Sequence, residues 1–199
     1  MLSTQMMKLA ERNQWKTNLE EQTVFGEFNG YPFTGLEGKG FKAFITSLAG
    51  IDPESLKSLL SFLDKNSRTL HLHNFEITDN FLCVRQHEGL LPLSADKMEY
   101  LLAQISGLLA LSELPTDRCV VCGEKATRRG LYFGFLCYLH PECQDREPVD
   151  FTSEVAAACR SPYLVWQPEN ANPVSELPAA GADTGADADS LAEAARSDK

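Results

Sequence analysis

The chain has 199 residues and a formal net charge of −10 at pH 7, with 43% hydrophobic and 9% aromatic residues. That is room for one ordinary domain with a small appendage and enough apolar content for a core. The acidic balance gives no electrostatic footprint for duplex nucleic acid or an anionic membrane surface, and no apolar run reaches the roughly 18 residues of a membrane span. The start, MLSTQMMKLAERNQW, lacks the apolar region of a secretory signal, so the cytoplasm is the expected compartment.

Residues 3–15 place Met6, Leu9 and Ala10 on one side and predict a short helix. Three strands are expected next, at 23–28, 31–37 and 41–48, reversed at Asn29-Gly30 and at Gly38-Lys39-Gly40. Gly26 and Gly35 are read with Gly30, Gly38 and Gly40 as turn punctuation, since none has the spacing of a dinucleotide loop. Asp52-Pro53-Glu54 starts a helix, because proline suits the first turn and acids suit the positive end of the helix dipole. Leu56, Leu59, Leu60 and Leu63 share one face of it. Strands at 70–77 and 81–86 follow, turned by Asp79-Asn80, and the parity of Leu70 and Leu72 differs from that of Phe75 and Ile77. A bulge near Asn74 absorbs such a slip. Ser94 caps a third helix whose stripe is Met98, Leu101, Leu102, Ile105, Leu108 and Leu109.

The chemistry concentrates beyond Pro115. Four of the six cysteines lie in CVVCGEKATRRGLYFGFLCYLHPEC, residues 119–143. Cys119 and Cys122 make a C-x2-C-G knuckle, and after fourteen intervening residues Cys137 and His140 make a C-x2-H pair, with Cys143 three positions on. Such spacing is that of a structural zinc site, and a hairpin of 126–133 and 135–139 around Gly134 completes a zinc ribbon. The expected ligands of one zinc ion are Cys119, Cys122, Cys137 and either His140 or Cys143. The ribbon's core is expected to be separate from that of the preceding body.

Elsewhere the sequence holds no G-x-S-x-G elbow, phosphate-binding G-x4-G-K-[ST] loop or H-E-x2-H motif. His71, His73 and His87 are candidates for a second metal, weighed against a solvated strand face. Cys83 and Cys159 read as buried small residues. Arg128 and Arg129 with Tyr132 and Phe133 suggest nucleic-acid stacking, against which stands a solvated hairpin edge. A short helix at 152–160 and an apolar segment at 163–166 come next. From Gln167 the composition turns to Ala, Gly and Asp, with seven acids and two bases in 167–199, and predicts a disordered acidic tail.

The expected class is therefore α+β: an α-βββ-α-ββ-α antiparallel-sheet domain at 1–115, a zinc-ribbon segment with a docking extension at 116–166, and the tail at 167–199. The element order resembles that of type III secretion chaperones and bacterial sensory-transduction-regulator domains. Cys119, Cys122 and Cys137 resemble a group of bacterial proteins that join such a domain to a C-x2-C-G…L-C-x2-C ribbon, with His140 replacing the last cysteine. The resemblance implies a non-enzymatic adaptor or chaperone-like module with a protein partner, a second copy of the chain being one candidate. The alternatives are a redox- or zinc-responsive regulator and a ribbon-type nucleic-acid binder.

Overall fold

The computed structural model describes residues 2–88, 92–149 and 152. The helix expected at 152–160, the segment at 163–166, Cys159 and the acidic tail lie outside the described residues, save for Thr152 alone. Helix α1 (Thr4–Arg12) is followed by β1 (Lys16–Asn18), β2 (Thr23–Phe28), β3 (Tyr31–Gly38) and β4 (Phe41–Ser47). Then come α2 (Pro53–Lys65), β5 (Leu72–Thr78), β6 (Phe81–His87) and α3 (Ala95–Leu111). A small hairpin, β7 (Arg129–Tyr132) and β8 (Phe135–Tyr138), precedes a 3-10 turn at Pro141–Cys143.

Local chemistry explains the element ends. Ser3, Asp52 and Ser94 each cap a helix, their side-chain oxygens accepting from the backbone N–H of Met6, of Glu54 and Ser55, and of Lys97. Asn29-Gly30 carries φ of 50° and 84°, the paired positive values of a two-residue hairpin turn. The first six strands form one antiparallel sheet in the order β1-β2-β3-β4-β6-β5. Helix α2 carries the chain to the far edge, and the Asp79-Asn80 turn brings β6 back between β5 and β4. The expected slip is present: the β5–β6 register shifts between Leu72 and Asn74.

All three helices cover one face of the sheet. Leu56, Leu59 and Leu63 of α2 and Met98, Leu102 and Ile105 of α3 are buried with Phe33, Phe44 and Val84 in one core. Each such side chain contributes about 1.5–3 kcal/mol by leaving water.

Three features depart from expectation. Strand β1 is short, polar and without apolar alternation, so its sequence carries no strand signal. Gly26, Gly35 and Gly38 lie within strands rather than at turns. At Gly26 a Cβ would fall 2.2 Å from Trp15 Cδ1, so the glycine admits the indole, whose Nε1–H donates to the Glu27 carbonyl at 2.8 Å. Lastly, the ribbon has no separate core. It lies on the sheet's other face, where Ala43, Ile45, Phe81 and Cys83 share an apolar cluster with Val120, Val121, Tyr132, Cys137 and Leu139. All described residues fall within one compact unit.

Candidate metal centre

The first knuckle is a tight backbone loop. Gly123, at φ 75°, donates its N–H to the Cys119 carbonyl at 2.9 Å, and the Cys119 N–H reaches the Glu124 carbonyl at 2.8 Å. A side chain at Gly123 would be strained in this left-handed conformation. The Val120 N–H donates to the Tyr138 carbonyl at 3.1 Å, laying the knuckle along β8. The second half comes from the 3-10 turn: Pro141 sits in its first turn and the Cys143 N–H donates to the His140 carbonyl at 3.0 Å.

These two halves bring together Cys119, Cys122, His140 and Cys143, whose donor atoms all lie within 4.8 Å of one another. A tetrahedral ion with thiolates at about 2.3 Å and an imidazole at about 2.0–2.1 Å separates its donors by about 3.5–3.8 Å. His140 Nδ1 stands 3.4 Å from Cys122 Sγ and 4.0 Å from Cys143 Sγ, close to that requirement. Its Nε2 is 2.9 Å from the Lys125 carbonyl, an oxygen that can only accept. The proton therefore belongs on Nε2, and the Nδ1 lone pair faces the thiols, the arrangement of a metal-ligating histidine.

Charge follows the same layout. Burial pushes the Cys119 thiol up, but the N–H groups of Cys122, His140 and Val121 outweigh it and bring it to about 7. Cys143 is pushed up to about 11 by burial and by the neighbouring thiols of Cys122 and Cys119. The Lys125 carbonyl raises His140 above the ordinary imidazole value. Three thiols and an imidazole so close cannot all lose their protons comfortably without a cation among them. The four could hold a metal ion.

Cys137 is the member of the expected set that geometry leaves out. It lies fully buried in β8, its Sγ 3.9 Å from the Gly130 carbonyl, and burial pushes its thiol up to about 12. The 3-10 turn returns both His140 and Cys143 to the knuckle, and Cys137 is not among the donor atoms that lie within 4.8 Å of one another. The pairing that assembles the group is thus H-x2-C, and His140 and Cys143 are both in it rather than alternatives.

The remaining candidates are also placed. The rings of His73 and His87 are 5.8 Å apart, but no metal-holding group containing His71, His73 or His87 occurs among the described residues. Cys83 is buried on the ribbon-covered face and pushed up to about 12 by that burial. Arg129 is engaged within the protein, paired with Glu27 at 2.7 Å and lying over the Tyr138 ring at 5.5 Å. No helix of the described residues is long and apolar enough to cross a membrane. Asn80 and the Lys125 carbonyl went unnoticed in the sequence, since neither a turn asparagine nor a backbone oxygen signals a role at a site forty or fifteen positions away. Compared with known proteins, the chain matches no family model and no curated protein.

Proposed function

We propose that Cys119, Cys122, His140 and Cys143 hold one structural zinc ion, and that the α+β body it completes is a non-enzymatic, protein-binding module of adaptor or chaperone-like type. The observation that carries the zinc reading is the donor set itself: four protein ligands within 4.8 Å, one a histidine whose second nitrogen is held by a backbone carbonyl. Three thiolates and an imidazole in a tetrahedral arrangement suit zinc, and four protein ligands close the site against a catalytic water.

The binding reading has different support. Apart from the added edge strand β1, the observed order of α1, the β2–β4 meander, α2, the β5–β6 hairpin and α3 is the order on which the resemblance to secretion chaperones rests. The two best-formed hollows measure about 10 and 60 Å³, small beside the roughly 300–1,000 Å³ of small-molecule sites.

Metal analysis of freshly purified protein tests the first part: one zinc per chain is expected, and cobalt(II) exchange should give the visible absorption of a tetrahedral thiolate site. Metal-free protein, or a disulfide joining Cys119 to Cys122, would overturn it. Affinity capture followed by reconstitution with the purified candidate tests the second. A candidate that binds no better than an unrelated control would remove the adaptor reading.

A further inference from the structure

Asn80 is a turn residue with φ 64°, and a turn asks only for tolerance of that angle, which glycine also provides. Yet its side chain is fully buried and fully used. Nδ2 donates to the Val120 carbonyl at 3.0 Å, between the first two ligands, and to the Val149 carbonyl at 2.7 Å. The Val149 N–H in turn donates to the Val121 carbonyl at 2.8 Å, so the ribbon's two ends are bound to each other and to Asn80. Oδ1 accepts from Thr152 Oγ1 at 3.4 Å, and the Asn80 backbone carbonyl accepts from the Leu48 N–H at 2.7 Å at the end of β4. One residue of the β5–β6 turn therefore grips the knuckle by its backbone.

We infer that Asn80 is a positioning residue of the metal centre, coupling ion binding to the seating of the ribbon on the sheet's outer face. The coupling presupposes the zinc reading above and adds a property that a zinc ribbon does not have by itself. A hairpin with two four-residue strands and a single 3-10 turn cannot hold its shape by packing alone, so the ion orders it. Ordered, it presents the Val120 and Val149 carbonyls to Asn80 and covers Ile45, Phe81 and Cys83. Without the ion both effects lapse together, and by reciprocity loss of the Asn80 grip weakens the ion's binding. The helix-covered core contains no residue beyond Leu114, so it persists while the outer face is bared.

Full-length protein tests this in two arms. Competition with a zinc chelator compares the natural chain with Asn80→Gly, which keeps the turn and removes the grip, and with Asp79→Gly, which alters the same turn from its exposed side. Asn80→Gly should bind zinc about 10- to 100-fold more weakly, the usual effect of losing a residue that orients metal ligands, and Asp79→Gly should match the natural chain. Asn80→Asp, equal in size and turn preference but with a carboxylate oxygen in place of the donors, is the second variant should the glycine form not fold. In the other arm Cys83 reports on the natural chain: its alkylation, followed by peptide mass spectrometry, should be at least about tenfold faster after chelation while helical circular dichroism persists. Equal zinc affinity in all variants, or a Cys83 equally protected with and without zinc, would overturn the coupling and leave the zinc reading intact. A natural chain that takes up no zinc would remove both.

Discussion

The two faces of the sheet are covered by different means. On one, three helices and five of the six strands contribute aliphatic and aromatic side chains to a continuous core, with caps and turns that each element supplies for itself. On the other, a ribbon of little regular structure rests on a small cluster around Ile45, Phe81 and Cys83. Polar ties hold it there: Asn80 to Val120, Arg129 to Glu27 at 2.7 Å, and the Leu136 N–H to Thr34 Oγ1 at 2.8 Å. Buried area suffices for the first face, whereas on the zinc reading proposed above the second has its cover folded by the ion before area counts. A segment too short to bury a core can still seal one, provided something else fixes its shape.

The sharpest way to break the comparison is to remove the metal. Zinc-finger-type sites contribute about 10–16 kcal/mol of apparent binding energy near neutral pH. Chelation should therefore abolish amide protection across residues 117–149 and leave α2, α3 and their strands protected, as hydrogen exchange can resolve. Single replacements should divide in the same way. His140→Ala and Cys143→Ala should each lose stoichiometric zinc, while Cys137→Ala should keep it, because its thiol lies outside the group of mutually close donor atoms. Zinc loss from Cys137→Ala alone would restore Cys137 to the ligand set.

The helix-covered face should respond to truncation instead. Leu59→Ala and Leu102→Ala remove buried side chains and should each cost about 2–5 kcal/mol in urea unfolding. Zinc affinity should not change, since neither residue belongs to the ribbon cluster. A loss of zinc in parallel with stability would show that the two faces unfold as one.

Most of the helix-covered face was legible in the sequence. Leu56, Leu59, Leu60 and Leu63 follow helical spacing and all are buried, and the parity change around Asn74 marked the bulge. Local pattern decides such features. The misses come from contacts distant in sequence. Lys42 is a buried lysine inside β4, lying between Glu37 and Glu88 with its Nζ 3.0 Å from Glu88, a pairing that no local pattern signals. Ligand spacing located the segment of the donor cluster, but that the cluster holds both His140 and Cys143 and not Cys137 depended on the 3-10 turn at Pro141. Equal x2 intervals at 137–140 and 140–143 cannot distinguish a strand that turns Cys137 inward from a turn that returns Cys143 to the knuckle.

Acid should separate the faces more gently than chelation. Ligation requires deprotonated thiols and a neutral imidazole, so binding releases protons and affinity rises with pH. Well above neutrality Cys143, at about 11, still gives up a proton on binding, whereas Cys119, at about 7, is already largely ionised. As the pH falls through about 7, Cys119 becomes protonated in the metal-free protein, and His140, raised above the ordinary imidazole value, gains its proton as the solution turns acidic, so more protons are displaced per ion. Each added proton costs about 1.4 kcal/mol of affinity per pH unit. Zinc affinity measured between about pH 8 and about pH 6 should therefore fall more steeply in the lower half of that range. An unchanged slope would mean that Cys119 does not titrate there.

The smallest effect concerns one turn built twice. The β2–β3 hairpin turns at Asn29-Gly30 with φ of 50° and 84°, and the ribbon hairpin turns at Phe133-Gly134 with φ of 50° and 81°. The backbone is nearly the same, but the first position differs. Asparagine tolerates left-handed φ, whereas phenylalanine there costs on the order of 1 kcal/mol or more. The Phe133 ring recovers part of this by lying 4.4 Å from the Tyr132 ring, although it remains 69% exposed. Phe133→Asn gives the ribbon the turn that the sheet already uses, and should favour the folded hairpin by up to about 1 kcal/mol. If hairpin folding and ion binding are coupled as proposed, the gain should appear as zinc binding up to about fivefold tighter, with helix-face stability unchanged. Weaker zinc binding in Phe133→Asn would show that the contact with Tyr132 outweighs the backbone preference, and that the two hairpins are held by different forces even at their shared turn.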